Sequence, residues 1–194
     1  MANNKRKFHY ENLHQQLVQR ILIGDEIEKY DNLLEFFEEM EAELDLFNFD
    51  ELMENFESVK FSKSEVDKNG VALYPDDAEP SLTPIECVGD GNCLYNAVSM
   101  LLCHSNNLSL ELRIKTVREI MINRISYDRE PFCNLAPVSS TGFEFDIVTS
   151  IKKNKYSDVR HLAALCNVLN CTIVSIYPRL ISNIVKRKDL HTTF

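Results

Sequence analysis

Apolar residues recur with a helical period through the N-terminal third of the chain. Residues 8–23 carry an apolar face at i, i+3 and i+4, which predicts an amphipathic helix that ends at Gly24. The same period predicts a second helix over residues 25–44 and a short third helix capped by Asp50. Residues 61–84, by contrast, are polar and hold three prolines, which predicts a linker or a wrapping loop.

The middle of the chain continues this helical period. Residues 92–103 carry apolar side chains at i, i+3, i+4 and i+7, which predicts a buried helix, and residues 109–125 carry an apolar face that predicts another. A shorter helix is predicted over residues 144–153. No internal repeat is visible, and the acid bias of the N-terminal third is the main compositional feature.

The last predicted elements are a helix and a strand. Either Ser157 or Asp158 can cap this helix, and Asn170 can end it in a left-handed turn. The compact β-branched run at residues 171–177 predicts a strand, which Pro178 stops. The order of elements therefore predicts a mixed α/β second half.

Charge is distributed unevenly along the 194 residues. The formal net charge is −9, yet residues 25–59 alone hold fourteen acidic residues against one basic residue, Lys29. These acidic faces are either the solvated sides of a helical hairpin or a docking element, or cover, for a basic surface. Such a segment would repel phosphates, and the basic residues elsewhere accompany no recognition motif, so nucleic acid is not expected as a partner.

Length and cysteine content limit the class of protein. The chain is long enough for one domain with an extension, and no run approaches the roughly 20 apolar residues of a membrane span. The basic N-terminus has no apolar stretch behind it, so no secretory signal is expected and the predicted location is cytoplasmic or nuclear. The six cysteines then predict free thiols, and their spacing fits no zinc site.

The segment Gly89-Asp90-Gly91-Asn92-Cys93 is the most informative one for chemistry. Its glycines permit a tight turn with positive φ that brings backbone N–H groups inward. The start of the following helix favours a negative oxygen, and it favours the thiolate form of a cysteine placed there. One segment could thus supply a nucleophile, Cys93, and an oxyanion hole from the backbone of Asp90, Gly91, Asn92 and Cys93. The same residues are also typical of an ordinary turn followed by a buried cysteine.

Residues 88–99, VGDGNCLYNAVS, resemble the nucleophile segment of the ovarian tumour (OTU) family of cysteine proteases. Residues 90–93 match the aspartate-glycine-asparagine-cysteine motif of that family. Residues 158–177 resemble its later helix-then-strand unit, and residues 110–125 resemble the helix between the two. These last two blocks are particularly similar to a vertnin-like animal branch. The resemblance covers roughly residues 83–194, just over half of the chain.

The resemblance implies an α+β, papain-like fold with a small twisted sheet between helices. Residues 85–194 would form this OTU-like domain, behind an acidic helical extension at residues 1–60 and a linker at residues 61–84. The implied reaction is hydrolysis of an isopeptide or peptide bond after ubiquitin or a ubiquitin-like modifier, with no metal or organic cofactor. Cys93 would be the nucleophile and Asp90 the active-site aspartate of the motif.

The general base is the weak point of the resemblance. The family places its histidine late in the chain, and only His191 has that order, although no aromatic residue directly follows it. His104 lies about 16 Å from Cys93 along the predicted helix, too far for a hydrogen bond. Two functions therefore stay open. One is a cysteine-type deubiquitinase that uses Cys93, Asp90 and His191, and the other is a catalytically silent module that binds ubiquitin or another protein.

Overall fold

The computed structural model describes residues 2–55, 65–74, 82–129 and 142–174. In these ranges the regular structure is helical, and the β pairing between described residues is an isolated antiparallel bridge from Val66 to Ile85. The predicted papain-like α+β fold with a sheet is therefore wrong. Of the predicted strand, residues 171–174 are described and lie in no strand, and residues 175–177 lie outside the described ranges.

The N-terminal region folds into α1 (Ala2–Arg20), α2 (Glu26–Glu39), α3 (Glu41–Leu44) and α4 (Asp50–Asn55). The helix predicted over residues 25–44 is thus broken at Met40. Asp25 begins α2 with a capping box, in which its carboxylate accepts from the backbone N–H of Glu28 and the Glu28 side chain accepts in return. Before this cap, Gly24 takes a φ of +101° and ends the turn after α1, as the sequence predicts.

The rest of the chain folds into α5 (Lys68–Leu73), α6 (Cys93–Cys103), a 3₁₀ turn (Asn106–Leu108), α7 (Ser109–Ile122), α8 (Arg124–Tyr127), α9 (Phe143–Ser150) and α10 (Val159–Leu169). The helix predicted at residues 92–103 is confirmed within one residue as α6. Asp158 caps α10 through the N–H groups of Arg160 and His161. Asn170 ends α10 with a φ of +49°, the left-handed turn that the sequence predicts.

Helix α7 lies at the centre of the described structure. Its residues Ile114, Val117 and Ile120 are fully buried in a cluster that also contains the apolar faces of α1, α2, α9 and α10. Leu112, on another side of α7, lies in a second buried cluster with residues of α6 and α10. The acidic N-terminal helices therefore share a hydrophobic core with the second half of the chain.

This arrangement explains why the predicted sheet is wrong. A sheet between helices, as the resemblance implies, needs apolar helix faces that pack against strands. In the structure the apolar faces of α7 and α10 pack against other helices, and helix-on-helix packing already buries them. No helix in the described part of the chain is both long enough and apolar enough to cross a membrane.

Candidate functional site

The chemical motif forms a tight loop at residues 89–93, the Cys93 loop, directly before α6. Gly91 has a φ of +82°, a conformation that residues with a side chain rarely adopt, so the predicted positive-φ turn is present at this glycine. A Cβ on Gly91 would lie 2.5 Å from the carbonyl carbon and 2.9 Å from the Cα of Asn154. The loop therefore needs glycine here, both for its backbone conformation and for its close contact with the turn at residues 150–155.

The carboxylate of Asp90 closes the Cys93 loop on itself. Its Oδ1 accepts from the backbone N–H of Asn92 at 2.9 Å and from Nδ2 of Asn96 at 3.0 Å. Its Oδ2 accepts from Nδ2 of Asn92 at 3.1 Å. The Asn92 N–H is the largest cause that lowers the pKa of Asp90, and the side-chain amides act in the same direction. Asp90 is therefore an ionised acceptor at neutral pH, and it shapes the loop.

The side chain of Arg113, from α7, lies beneath the Cys93 loop and is fully buried. Its Nη2 donates to the carbonyl oxygen of Gly91 at 3.0 Å and to Oδ1 of Asn92 at 2.8 Å. The same guanidinium donates to the carbonyl oxygens of Ser150 at 2.5 Å and Lys155 at 2.8 Å. One side chain thus joins the Cys93 loop to the 150–155 turn.

A pair of asparagines forms a second link between this loop and the turn. Nδ2 of Asn92 donates to Oδ1 of Asn154 at 2.9 Å, and the backbone N–H of Asn154 donates to Oδ1 of Asn92 at 3.3 Å. Asn154 has a φ of +63°, in the left-handed region that asparagine tolerates better than most residues. The side chain of Asn92 therefore faces inward, toward protein groups.

Cys93 is the first residue of α6, and its side chain is exposed as a free thiol. Its position at the helix N-terminus faces the positive end of the helix dipole. A second thiol lies close by, since Sγ of Cys87 donates to the carbonyl oxygen of Cys93 at 3.4 Å. Burial raises the pKa of the Cys87 thiol, and negative charge on Cys93 and Asp90 adds to that effect. Cys93 is the more accessible of the two thiols.

Two histidines of the second half, His104 and His161, pair with carboxylates and not with the Cys93 thiol. His104 ends α6, at the opposite end from Cys93, and its Nε2 lies 2.7 Å from Oε1 of Glu65. His161 is buried in α10, where its Nδ1 lies 2.7 Å from Oδ1 of Asp158. The predicted base, His191, lies outside the described residues. Across the described ranges, no group of three or more His, Cys, Asp and Glu side chains is arranged to hold a metal ion.

Arg113 and Asn154 are the residues of this site that the sequence interpretation does not include. The structure brings together the predicted segment from Asp90 to Cys93, and it adds these two side chains from elsewhere in the chain. A signal for Arg113 was present, because it lies three residues after Leu110 and four before Val117, on the inward face of the predicted helix. A charged residue at such a position predicts a specific buried partner. For Asn154, local sequence gives no comparable signal.

The structure thus presents the free thiol of Cys93 at the N-terminus of α6, on a short loop that polar side chains hold in place. The family model that matches this chain is described as the OTU domain of Vertnin, over residues 84–137 and 130–194. The match covers more than half of the chain and includes the Cys93 loop, α6, α7 and α10. The chain therefore belongs to the Vertnin OTU-domain family.

Individual relatives agree with this family. The chain is 34% identical to Vertnin of Mus musculus over 136 residues, which cover 59% of this chain and 18% of the mouse protein. It is 35% identical to Vertnin of Homo sapiens over 136 residues, with 59% and 19% covered. For Vertnin of Danio rerio the identity is 34% over 128 residues, with 55% and 19% covered. The matched region thus spans about a fifth of the length of these curated relatives. No solved structure matches the chain.

Proposed function

We propose that this chain is an OTU-like cysteine hydrolase that cleaves isopeptide or peptide bonds after ubiquitin or a ubiquitin-like modifier. The observation that carries the proposal is the geometry of the Cys93 loop. An exposed thiol begins α6, and the loop before it is fixed by Asp90, Arg113 and Asn154 rather than left as an ordinary solvated turn. A nucleophile needs this kind of preorganised environment.

In the proposed reaction His191 takes the proton of the Cys93 thiol, and the thiolate attacks the carbonyl carbon of the modifier's C-terminal residue to form a thioester. The negative oxygen formed in this step needs N–H donors. The Asn92 N–H already donates to Asp90, so the N–H groups of Gly91 and Cys93 take that role in the proposal. The carbon–nitrogen bond breaks, and the leaving amine takes a proton from His191. Water then hydrolyses the thioester, which releases the carboxylate and restores the thiol.

A second candidate function is a ubiquitin-binding module without catalysis. It is favoured by one observation: the four histidines in the described part of the chain hydrogen-bond to groups other than the Cys93 thiol. The pairs are His9 with the carbonyl of Glu43, His14 with the carbonyl of Ile151, His104 with Glu65 and His161 with Asp158. Catalysis therefore depends on His191, and binding does not.

Ubiquitin carrying a C-terminal electrophile separates the two functions. We expect covalent labelling of the wild-type chain, loss of labelling in Cys93→Ala, and normal labelling in the matched control Cys171→Ala, which removes a partly buried thiol elsewhere. In a separate assay with a ubiquitin amide substrate, turnover should be lost in His191→Ala. A wild-type chain that binds ubiquitin but is neither labelled nor active would support the module. Absence of labelling, turnover and binding, with ubiquitin and with ubiquitin-like modifiers, would contradict both functions.

A further inference from the structure

The guanidinium of Arg113 does more than fill space in the core. Its four hydrogen-bond acceptors, named above, are three backbone carbonyls and one side-chain amide oxygen. They come from two separate segments, the Cys93 loop and the 150–155 turn. A planar guanidinium can hold several acceptors in a fixed geometry, whereas a lysine ammonium is a compact point charge. The position therefore calls for arginine in particular.

The hydrogen bond to Gly91 fixes the orientation of one peptide plane. In a trans peptide the C=O and N–H point in opposite directions, so the Gly91 carbonyl that faces Arg113 turns the Asn92 N–H outward. That N–H is the one that donates to Asp90 at 2.9 Å. Arg113 and Asp90 thus hold opposite sides of the same peptide, immediately before Cys93. Loss of either contact would free this peptide to rotate.

The charge of Arg113 also interacts with Cys93. Burial lowers the pKa of Arg113, while charge interactions with Tyr95, Asp90 and Cys93 act in the opposite direction. The ring of Tyr95 lies 4.6 Å from the guanidinium carbon. Among the described residues, Cys87 and Arg113 each interact through charge with Cys93 and with Asp90. Arg113 is a cation, so it acts against the negative charge of Asp90 in the same loop.

We propose that Arg113 is a positioning residue for the Cys93 thiol, because its buried guanidinium holds the Gly91–Asn92 peptide and supplies positive charge beneath the loop. This inference rests on the proposed function for the use of that thiol. Asn154 supports the same arrangement from the turn, through its side-chain hydrogen bond with Asn92. This role affects the reactivity of the Cys93 thiol itself, and that reactivity can be measured without any ubiquitin substrate.

The test is the rate of alkylation of Cys93 by iodoacetamide between pH 5.5 and 9.5, resolved for each cysteine by mass spectrometry. Arg113→Met removes the positive charge next to the loop, so it should slow the reaction at pH 7 about ten-fold and move its pH profile to higher pH. A ten-fold change corresponds to about 1.4 kcal/mol. Arg113→Lys should restore part of the rate, because it keeps the charge. Circular dichroism shows whether each variant is folded.

Asn154→Gly is the variant that keeps the test valid if Arg113→Met does not fold. Glycine retains the left-handed backbone and removes the side-chain contact with Asn92, so Cys93 should react about three-fold more slowly. Asn170→Gly is the matched control, since Asn170 is also exposed and left-handed but caps α10. We expect it to leave the Cys93 rate unchanged.

Two results would overturn the proposal. One is a wild-type pH profile for Cys93 in every folded variant at positions 113 and 154. The other is general loosening, in which Cys87 and Cys103 react faster while the profile of Cys93 does not move. Labelling of the same variants by the ubiquitin electrophile distinguishes failure of the positioning role of Arg113 from failure of the proposed hydrolase function. A thiol that depends on Arg113 but is never labelled would contradict the hydrolase, and the positioning role would stand.

Discussion

Helix α7 carries two buried charges of opposite sign, and each fastens a different region of the molecule. Glu111 forms a bidentate ion pair with Arg6 of α1, with Nη2 to Oε1 at 2.7 Å, and lies 3.4 Å from Nζ of Lys115. Arg113 holds the Cys93 loop. Because successive helix residues rotate by about 100°, these two residues project toward opposite sides of α7. One side fastens α1, which precedes the family match, and the other fastens the candidate site.

The two regions use buried charge differently. On the N-terminal side a carboxylate is shared between two cations, and aromatic rings of Phe47 and Phe49 cover the Arg6 guanidinium. On the site side the guanidinium of Arg113 is held by neutral oxygens, so its charge is not cancelled by a bound carboxylate. The ion pairs of Glu111 attach α1, since the opposite charges neutralise each other. Arg113, by contrast, leaves positive charge at the Cys93 loop, where it would stabilise a thiolate.

The strongest test of the attachment is Glu111→Gln. This change keeps the size of the side chain but leaves Arg6 and Lys115 without their shared carboxylate. Because Glu111 is 1% exposed, we expect the free energy of unfolding to fall by about 3–5 kcal/mol. Urea unfolding followed by circular dichroism measures it. The control is Glu41→Gln, which removes a solvent-exposed partner of Arg118 and should cost about 0–1 kcal/mol. Equal losses in the two variants would mean that Glu111 does not fasten α1.

A smaller but more local effect is expected at the site side from Gly91→Ala. The added methyl group meets the backbone of Asn154, and φ is +82°, so we expect a loss of about 2–3 kcal/mol. The same substitution at Gly89 is the control, because nothing lies within 4 Å of its Cβ position. That variant should change stability by less than about 0.5 kcal/mol. The alkylation rate of Cys93 should also fall in Gly91→Ala alone; a normal rate would show that the loop tolerates the methyl group.

The sequence predicts those parts of the structure whose deciding contacts are local. The apolar period located α6, and the end of α10 at Asn170 follows from the conformational preference of asparagine. Glu111 and Arg113 are different, because Arg6 lies 105 residues from Glu111 and the acceptors of Arg113 lie at least 21 residues away along the chain. A local pattern can place Arg113 on the inward face of α7, but it cannot supply these distant partners.

The sheet could not be judged from local pattern either. A β-branched run after a helix predicts a strand only if a neighbouring strand is present to pair with it. The resemblance implied such a neighbour, whereas the regular structure in the described ranges is helical. For the site, the motif located the turn and the thiol. The residues that brace the loop became visible only in three dimensions, apart from the helical position of Arg113.

Each of the two regions contains a helix that begins with a capping box. Asp25 caps α2 at the surface, whereas Asp158 caps α10 and also lies 2.5 Å from Nη2 of Arg160. Burial alone would raise the pKa of Asp158, but the hydrogen bond and charge of His161, followed by those of Arg160, hold it well below its ordinary value. Asparagine is an equally good cap, so Asp→Asn variants isolate the charge.

We expect Asp158→Asn to cost about 1–3 kcal/mol at pH 7, because charge-assisted hydrogen bonds are lost. A lowered carboxyl pKa stabilises the fold at pH values above about 4 and loses that contribution as the pH falls further. The difference between wild type and Asp158→Asn should therefore shrink between pH 4 and pH 2. Asp25→Asn, the control, should cost only a few tenths of a kcal/mol at pH 7. A constant difference for Asp158→Asn at all pH values would show that its charge is not the cause.

The smallest expected effect lies at His14, where the N-terminal region meets the turn that contacts the Cys93 loop. His14 is 7% exposed, and its Nε2 lies 3.0 Å from the carbonyl oxygen of Ile151. Burial lowers the pKa of His14, and the charges of Lys153 and Arg113 lower it further, whereas the hydrogen bond to Ile151 acts in the opposite direction. The unfolded chain therefore binds a proton at His14 more readily than the folded chain does. The contribution of neutral His14 to the free energy of unfolding is fully present above about pH 6.5 and is lost as the pH falls below that value.

Replacement of His14 by glutamine removes the proton and keeps an N–H donor for Ile151. The free energy of unfolding should fall less steeply between pH 7 and pH 5.5 in His14→Gln than in the wild-type chain. Lys153→Gln is the companion variant, since it removes one cation that disfavours protonation of His14 and should reduce the slope in part. Identical slopes in all three chains would place the acid sensitivity elsewhere. A difference in slope would show that the buried His14, which joins α1 to the 150–155 turn through Ile151, makes the fold sensitive to acid.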